Sequence, residues 1–212
     1  FVFTLVAYGF EGIATGSIEA GRTWGLNRIF IDGVAGPVDV LGDVIFVGGD
    51  EYYRLVSSGF LHYGIIHLGF NMYFLLFLGN ALEPQLGRVR FTLLYFASML
   101  GGSAGVVLID GGIAGGASGA VFGLMGAMAV GYWHQGINPF STPLGRSLSI
   151  NVLITFFVGF VSVGGHIGGL IAGALAGFVM LAPPFRGFPS WSSYVAPAAI
   201  AIAAIAVAIG AA

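Results

Sequence analysis

Three sets of polar side chains sit inside otherwise apolar, glycine-rich sequence. They are His67 with Asn71, Ser118 within Gly116-Ala117-Ser118-Gly119, and His166 within Gly165-His166-Ile167-Gly168-Gly169. Polar groups within membrane-type segments are costly, so each set is a candidate for chemistry. A serine hydroxyl is a weak nucleophile until an adjacent base takes its proton, and histidine is a common base. The set suits acyl transfer. Ser118 would attack, and His166 would take its proton and return it to the leaving amine. Ser118 opens an apolar run read as a helix, so free N–H groups, Gly119's among them, and the positive dipole end lie beside its hydroxyl. These would hold the oxyanion, with His67 and Asn71 as further donors. No acid lies near His166 in sequence, so a dyad is expected and not a triad.

Such residues must be positioned by helices in a bilayer. Hydrophobic residues make up 57% of the 212, and charged residues only 8%. Mean hydropathy is +0.96, far from a soluble balance. Net charge of −2 gives no reason to expect nucleic acid. With zero cysteines there are no disulfides, thiolate metal sites or cysteine nucleophile. All seven basic residues are arginine, which excludes a serine–lysine dyad. No histidine begins a Glu-x-x-His zinc pattern and no aspartate pair lies within the spans, so neither metal nor cofactor is expected. The 37 glycines suit close helix packing in lipid.

Apolar runs broken by charge, proline or glycine give seven spans: 1–17, 63–82, 91–109, 118–133, 148–163, 166–181 and 194–212. The chain opens without Met, so its natural N-terminus is expected upstream. Its first run has no basic segment before it and does not read as a signal peptide. Residues 18–60 carry six of the nine acids and three of the seven arginines, and read as a structured loop on the membrane. Arg88, Arg90, Arg146 and Arg186 occupy alternate short loops, which the positive-inside rule assigns to the cytoplasm. The long first loop, residues 111–117 and the turn before His166 then face outward.

By this parity the second, fourth and sixth spans all run inward, each carrying one polar set. At ~1.5 Å per residue, Ser118, His166 and His67 each lie about 24 Å above the cytoplasmic end of their span. All three thus sit just below the outer surface of a ~30 Å core. His67 and Asn71, four apart, share a helix face. Singly, each has a plainer reading: Ser118 as an N-cap, His166 as a packing histidine, Asn71 as interhelical glue. Equal depth argues against three independent accidents. Gly169 and Gly173, with Gly177, read as the stripe that brings the sixth span against the fourth. His134 reads as interfacial beside Trp133, and His62 as an outer-loop residue without an assigned role.

Over residues 50–181 the chain resembles the rhomboid intramembrane serine proteases. The resemblance rests on Tyr53-Arg54-Leu55, Phe60-Leu61-His62, His67-x-x-x-Asn71, Glu83 before Leu86-Gly87, Gly116-Ala117-Ser118-Gly119, and Gly165-His166 with Gly169 and Gly173. It implies a Ser118–His166 dyad with oxyanion support from His67 and Asn71. It also implies single-pass membrane proteins as substrates, cut near the outer face. Two positions depart from the pattern. The family's frequent tyrosine one turn after the serine is Phe122, which still offers a ring to stack on His166, and its first-loop Trp-Arg is Tyr53-Arg54.

The expected architecture is an all-α polytopic membrane protein. A six-helix rhomboid-like core spans 1–190, with a long outer loop over about 18–62, and one additional transmembrane helix spans 191–212. The expected setting is a bacterial cytoplasmic membrane, with the site opening outward and the bilayer and transmembrane substrates as partners. Oligomeric state is not fixed by the sequence. Two other functions stay open. One is a catalytically silent rhomboid-like protein that binds membrane clients. The other is a small channel or transporter, which would be expected to show internal repeats or a charged pathway.

Overall fold

The computed structural model describes residues 51–62, 64–110, 114–157, 161–183 and 186–211. A short helix, α1 (Arg54–Ser57), runs into a 3-10 turn (Ser58–Phe60). There follow α2 (Ile65–Leu86), α3 (Arg88–Ile109), α4 (Ser118–His134), a 3-10 turn (Pro139–Ser141), α5 (Pro143–Phe157), α6 (Val163–Met180) and α7 (Ser192–Gly210). Helices α2, α3, α6 and α7 are long and apolar enough to cross a membrane; α4 and α5 are shorter, at 17 and 15 residues. The expected span 1–17 and the loop up to residue 50 lie outside the described residues.

Local chemistry sets the helix ends. α2 continues through Pro84 to Leu86 and stops at Gly87, whose φ of +76° suits glycine and ends the helix. Gly87 alone separates α2 from α3, which begins at Arg88. α5 begins at Pro143 rather than residue 148, because proline suits the first helical position and Thr142 Oγ1 accepts from Gly145 N–H at 3.2 Å. The α2 side chains Ile65, Ile66, Phe70, Tyr73, Leu76 and Phe77 are exposed, as a surface facing acyl chains should be.

Lipid tails are as apolar as leucine, so burying leucine gives these helices little reason to associate; close packing does. Glycine seams supply it. A Cβ on Gly164 would lie 2.1 Å from Gly105 O, and one on Gly168 would lie 2.3 Å from Gly101 O. Those contacts join α6 to α3. Toward α4, a Cβ on Gly169 would lie 2.0 Å from Gly119 O, and one on Gly173 2.0 Å from Gly123 O. α6 is thus held backbone to backbone between α3 and α4. Leu78, Leu82, Leu94, Phe122, Leu124 and Met125 fill the wider side of the bundle, while α7 packs on α3 through Ala204 and Ala208 against Leu100 and Val107.

Candidate active site

The site forms where the N-terminal ends of α2, α4 and α6 meet. Ser118 is the first residue of α4, and the helix's first bond runs from Val121 N–H to Ala117 O. The N–H groups of Ser118 and Gly119 therefore have no intrahelical acceptor and remain available to a ligand. The segment entering α4 is tied down from the first loop. Gly116 N–H donates to Ser58 O at 2.9 Å, and Ala117 N–H points at His62 Nε2 at 3.5 Å. Gly116 adopts φ +132°, and a Cβ there would meet His67 Cε1 at 2.8 Å and Nε2 at 3.0 Å, with Ser118 Oγ 3.7 Å away. The absent side chain thus leaves a space bounded by the His67 imidazole and the Ser118 hydroxyl.

His166 lies in the first turn of α6 and is buried. Phe122, one turn below Ser118 on α4, stacks on its ring with centroids 4.0 Å apart and planes at 15°. Ser118 and His166 therefore share the α4–α6 seam, which Gly119 and Gly169 close by direct backbone contact. The other edge of the ring is held too: His166 Nδ1 lies 2.6 Å from Thr155 Oγ1, a buried hydroxyl of α5. The start of α6 is capped by Ser162, whose Oγ accepts from Gly165 N–H at 2.9 Å. Ser162 Oγ in turn donates to Asp110, and Asp110 Oδ1 accepts from Gly164 N–H at 2.9 Å.

Asn71 is buried on the same face of α2 as His67, and its Nδ2 donates to His67 O at 2.9 Å. That occupies one amide hydrogen and leaves the second for a ligand. A cavity of about 40 Å³ adjoins the serine, lined by Ser58, Gly102, Ser103, Ser118, Gly119 and Gly165 among others. It is roomy enough for water, and Ser58, Ser103 and Ser118 give its largely apolar lining some polar groups.

The remaining sequence candidates lie around this centre. Arg54 is buried, donates from Nε to Glu51 Oε2 at 2.8 Å, and stands 5.3 Å from the centroid of the Tyr53 ring. Glu83 lies at the far end of α2, 3.7 Å from Arg88. Gly173 belongs to the seam below the site. His134 contacts Phe178 O at 3.0 Å beside Trp133, far along α4 from Ser118.

Four participants have no assigned role in the sequence. His62 is buried against the site, its ring 5.1 Å from that of His67. Burial first, and then the His67 imidazole, lower its pKa from 6.5 to about 3, which keeps it neutral. Ser162 stands four residues before His166 and carried a readable N-cap signal. Thr155 and Asp110 carried none, because their partners are reached across loops.

The Rhomboid domain family model matches residues 49–183. The chain is 38% identical over 148 residues to RHOMBOID-like protein 4 of Arabidopsis thaliana, covering 67% of this chain and 37% of that protein. It is 33% identical over 163 residues to Rhomboid protease GluP of Bacillus subtilis (strain 168), covering 76% of this chain and 31% of that protein. It is also 36% identical over 127 residues to Inactive RHOMBOID-like protein 8 of Arabidopsis thaliana, covering 55% of this chain and 36% of that protein. The chain spans about a third of the length of these relatives.

Proposed function

Since this chain belongs to the rhomboid family of integral membrane proteins, we propose that it is an intramembrane serine endopeptidase with Ser118 as nucleophile and His166 as base. The observation that carries this reading is the stacking of Phe122 on His166, one turn below Ser118 on a helix pinned to α6 by glycine. Ser118 Oγ attacks the scissile carbonyl as its proton passes to His166 Nε2. The oxyanion is held by the N–H groups of Ser118 and Gly119, with His67 and the second amide hydrogen of Asn71 as further donors. The imidazolium then protonates the leaving amine, leaving an ester on Ser118. Water from the adjoining cavity, deprotonated by His166, releases the acid and restores the serine.

The substrates are single-pass membrane proteins, cut in or near the transmembrane segment. The arginine distribution supports a site opening to the outer face. A bacterial setting draws no support from relatives found in a plant as well as a bacterium. A second reading, a silent client-binding protein, is favoured only by the relative named inactive, and the retained serine and histidine weigh against it.

Fluorophosphonate labelling tests the reading. Wild-type protein should label at Ser118 and cleave a single-pass substrate, and Ser118→Ala should fold but do neither. Retained cleavage by purified Ser118→Ala would falsify the mechanism, and a wild type that neither labels nor cleaves would favour the silent protein. For orientation, a single cysteine at Gly112 should react with an impermeant thiol reagent added outside, and one beside Arg146 should not. The reverse pattern would invert the site.

A further inference from the structure

A histidine base needs its proton on the nitrogen that faces away from the nucleophile, and something must hold it there. The acids among the described residues are Glu51, Glu83 and Asp110. Glu51 serves Arg54, Glu83 neighbours Arg88, and Asp110 caps the start of α6. The His166 ring instead meets Thr155 Oγ1, at 2.6 Å from Nδ1. A hydroxyl has one hydrogen and two acceptor positions. The hydrogen of Thr155 is committed to its own helix, donating to Asn151 O at 2.8 Å. A carbonyl oxygen cannot donate, so that bond runs in one direction only. Toward His166 the hydroxyl must then accept, and Nδ1 must carry the proton.

We propose that Thr155 is a positioning residue that sets the tautomer of the base: it accepts from Nδ1–H and so leaves the Nε2 lone pair for the Ser118 proton. The inference rests on the proteolytic reading above and supplies it with a neutral third member. A carboxylate in that place would sit as a net charge within the apolar bundle, whereas the hydroxyl adds none. With Phe122 on the ring face and Thr155 on its edge, both the tilt and the rotation of the imidazole are fixed.

The test compares Thr155→Val, which keeps the shape and removes the acceptor, with Thr155→Ser, which keeps the acceptor, in the full chain reconstituted in lipid. Loss of a buried hydrogen bond that leaves a donor unpaired should slow fluorophosphonate inactivation and lower kcat by about tenfold or more. KM should be unchanged, and Thr155→Ser should stay within about twofold of wild type. Wild-type rates in Thr155→Val, or a serine variant as slow as the valine variant with both folded, would overturn the proposal. Nitrogen-15 NMR of the His166 ring in the wild type gives an independent reading should the valine variant not fold. Protonation on Nδ1 at neutral pH is expected, and protonation on Nε2 would overturn the assignment. A wild type with the Nδ1–H tautomer that fails to label would refute the proteolytic reading instead.

Discussion

Replacing Gly169 by alanine probes how tightly the seam sets the distance between Ser118 and His166, the proposed nucleophile and base. The new Cβ would lie 2.0 Å from Gly119 O, 2.7 Å from Gly119 C and 3.0 Å from Gly119 Cα. All three neighbours are backbone, so no rotamer change relieves the clash. Ordinary contact begins near 3.4 Å, so α4 and α6 must part by about 1.4 Å at this point. Overpacking of this kind typically costs 1–3 kcal/mol. The catalytic cost is larger in proportion, because Gly119 follows Ser118 and Gly169 is one turn from His166. A displacement near 1 Å at reacting groups is worth on the order of 10²-fold in rate. The assay is the fluorophosphonate inactivation rate alongside thermal melting, with Gly69→Ala as reference. Gly69 lies within α2 with nothing inside 4 Å of its Cβ position, so its alanine variant should keep wild-type rates and gain up to about 1 kcal/mol. A Gly169→Ala protein that melts and labels like wild type would refute the claim that backbone contact sets the dyad.

Asn71→Ala should lower the cleavage rate by less than about 10²-fold, since on the proposed mechanism backbone N–H groups share the oxyanion; a loss equal to that of Ser118→Ala would assign Asn71 a larger part. Because His62 is neutral in the folded protein, with its pKa lowered to about 3, its stabilising effect is complete above the unfolded value near 6.5. It is lost as pH falls below that value toward 3. The loss between pH 7 and pH 5 is about 2 kcal/mol, and thermal melting of His62→Gln should show a correspondingly flatter pH dependence than wild type. Asp110→Ala removes the acceptor for Gly164 N–H and for Ser162 and should cost about 1 kcal/mol, a melting shift of roughly 2–4 °C; an unchanged melt would show the cap to be redundant.

Where a pattern is periodic or local, the sequence was readable. Among the described residues, helices α2 to α7 overlap the expected spans after residue 62, because apolar length is written in the chain itself. α2 runs to Leu86, past the expected 82, and α5 begins at Pro143, ahead of the expected 148, for local reasons. Pro84 sits in a helix that outlasts it, and Pro143 opens a helix whose first turn, with Arg146, reads as polar. The juxtaposition of Phe122 with His166 was accessible only through the family resemblance, which places a ring one turn after the serine. Thr155 and Asp110 were not, since their partners lie 11 and 52 residues away across turns that no helical period counts. His62 takes no role from the sequence because a histidine just before the second apolar run reads as a loop residue until the loop is seen folded into the bundle.

The glycine seams carry a consequence for how the site breathes. α3, α4 and α6 touch one another densely, while α5 meets α4 and α6 sparsely and exposes Ile150, Leu153 and Ile154. Amide hydrogens in the seams are thus expected to exchange with solvent only when the whole bundle opens, and those of α5 through smaller, more frequent openings. His166, the proposed base, is divided between the two. Its backbone lies in the seam and the hydroxyl beside its Nδ1 on the sparsely packed helix. On the proposed mechanism, an excursion of α5 would take the Thr155 acceptor away from His166 Nδ1 while the α4–α6 seam stays closed.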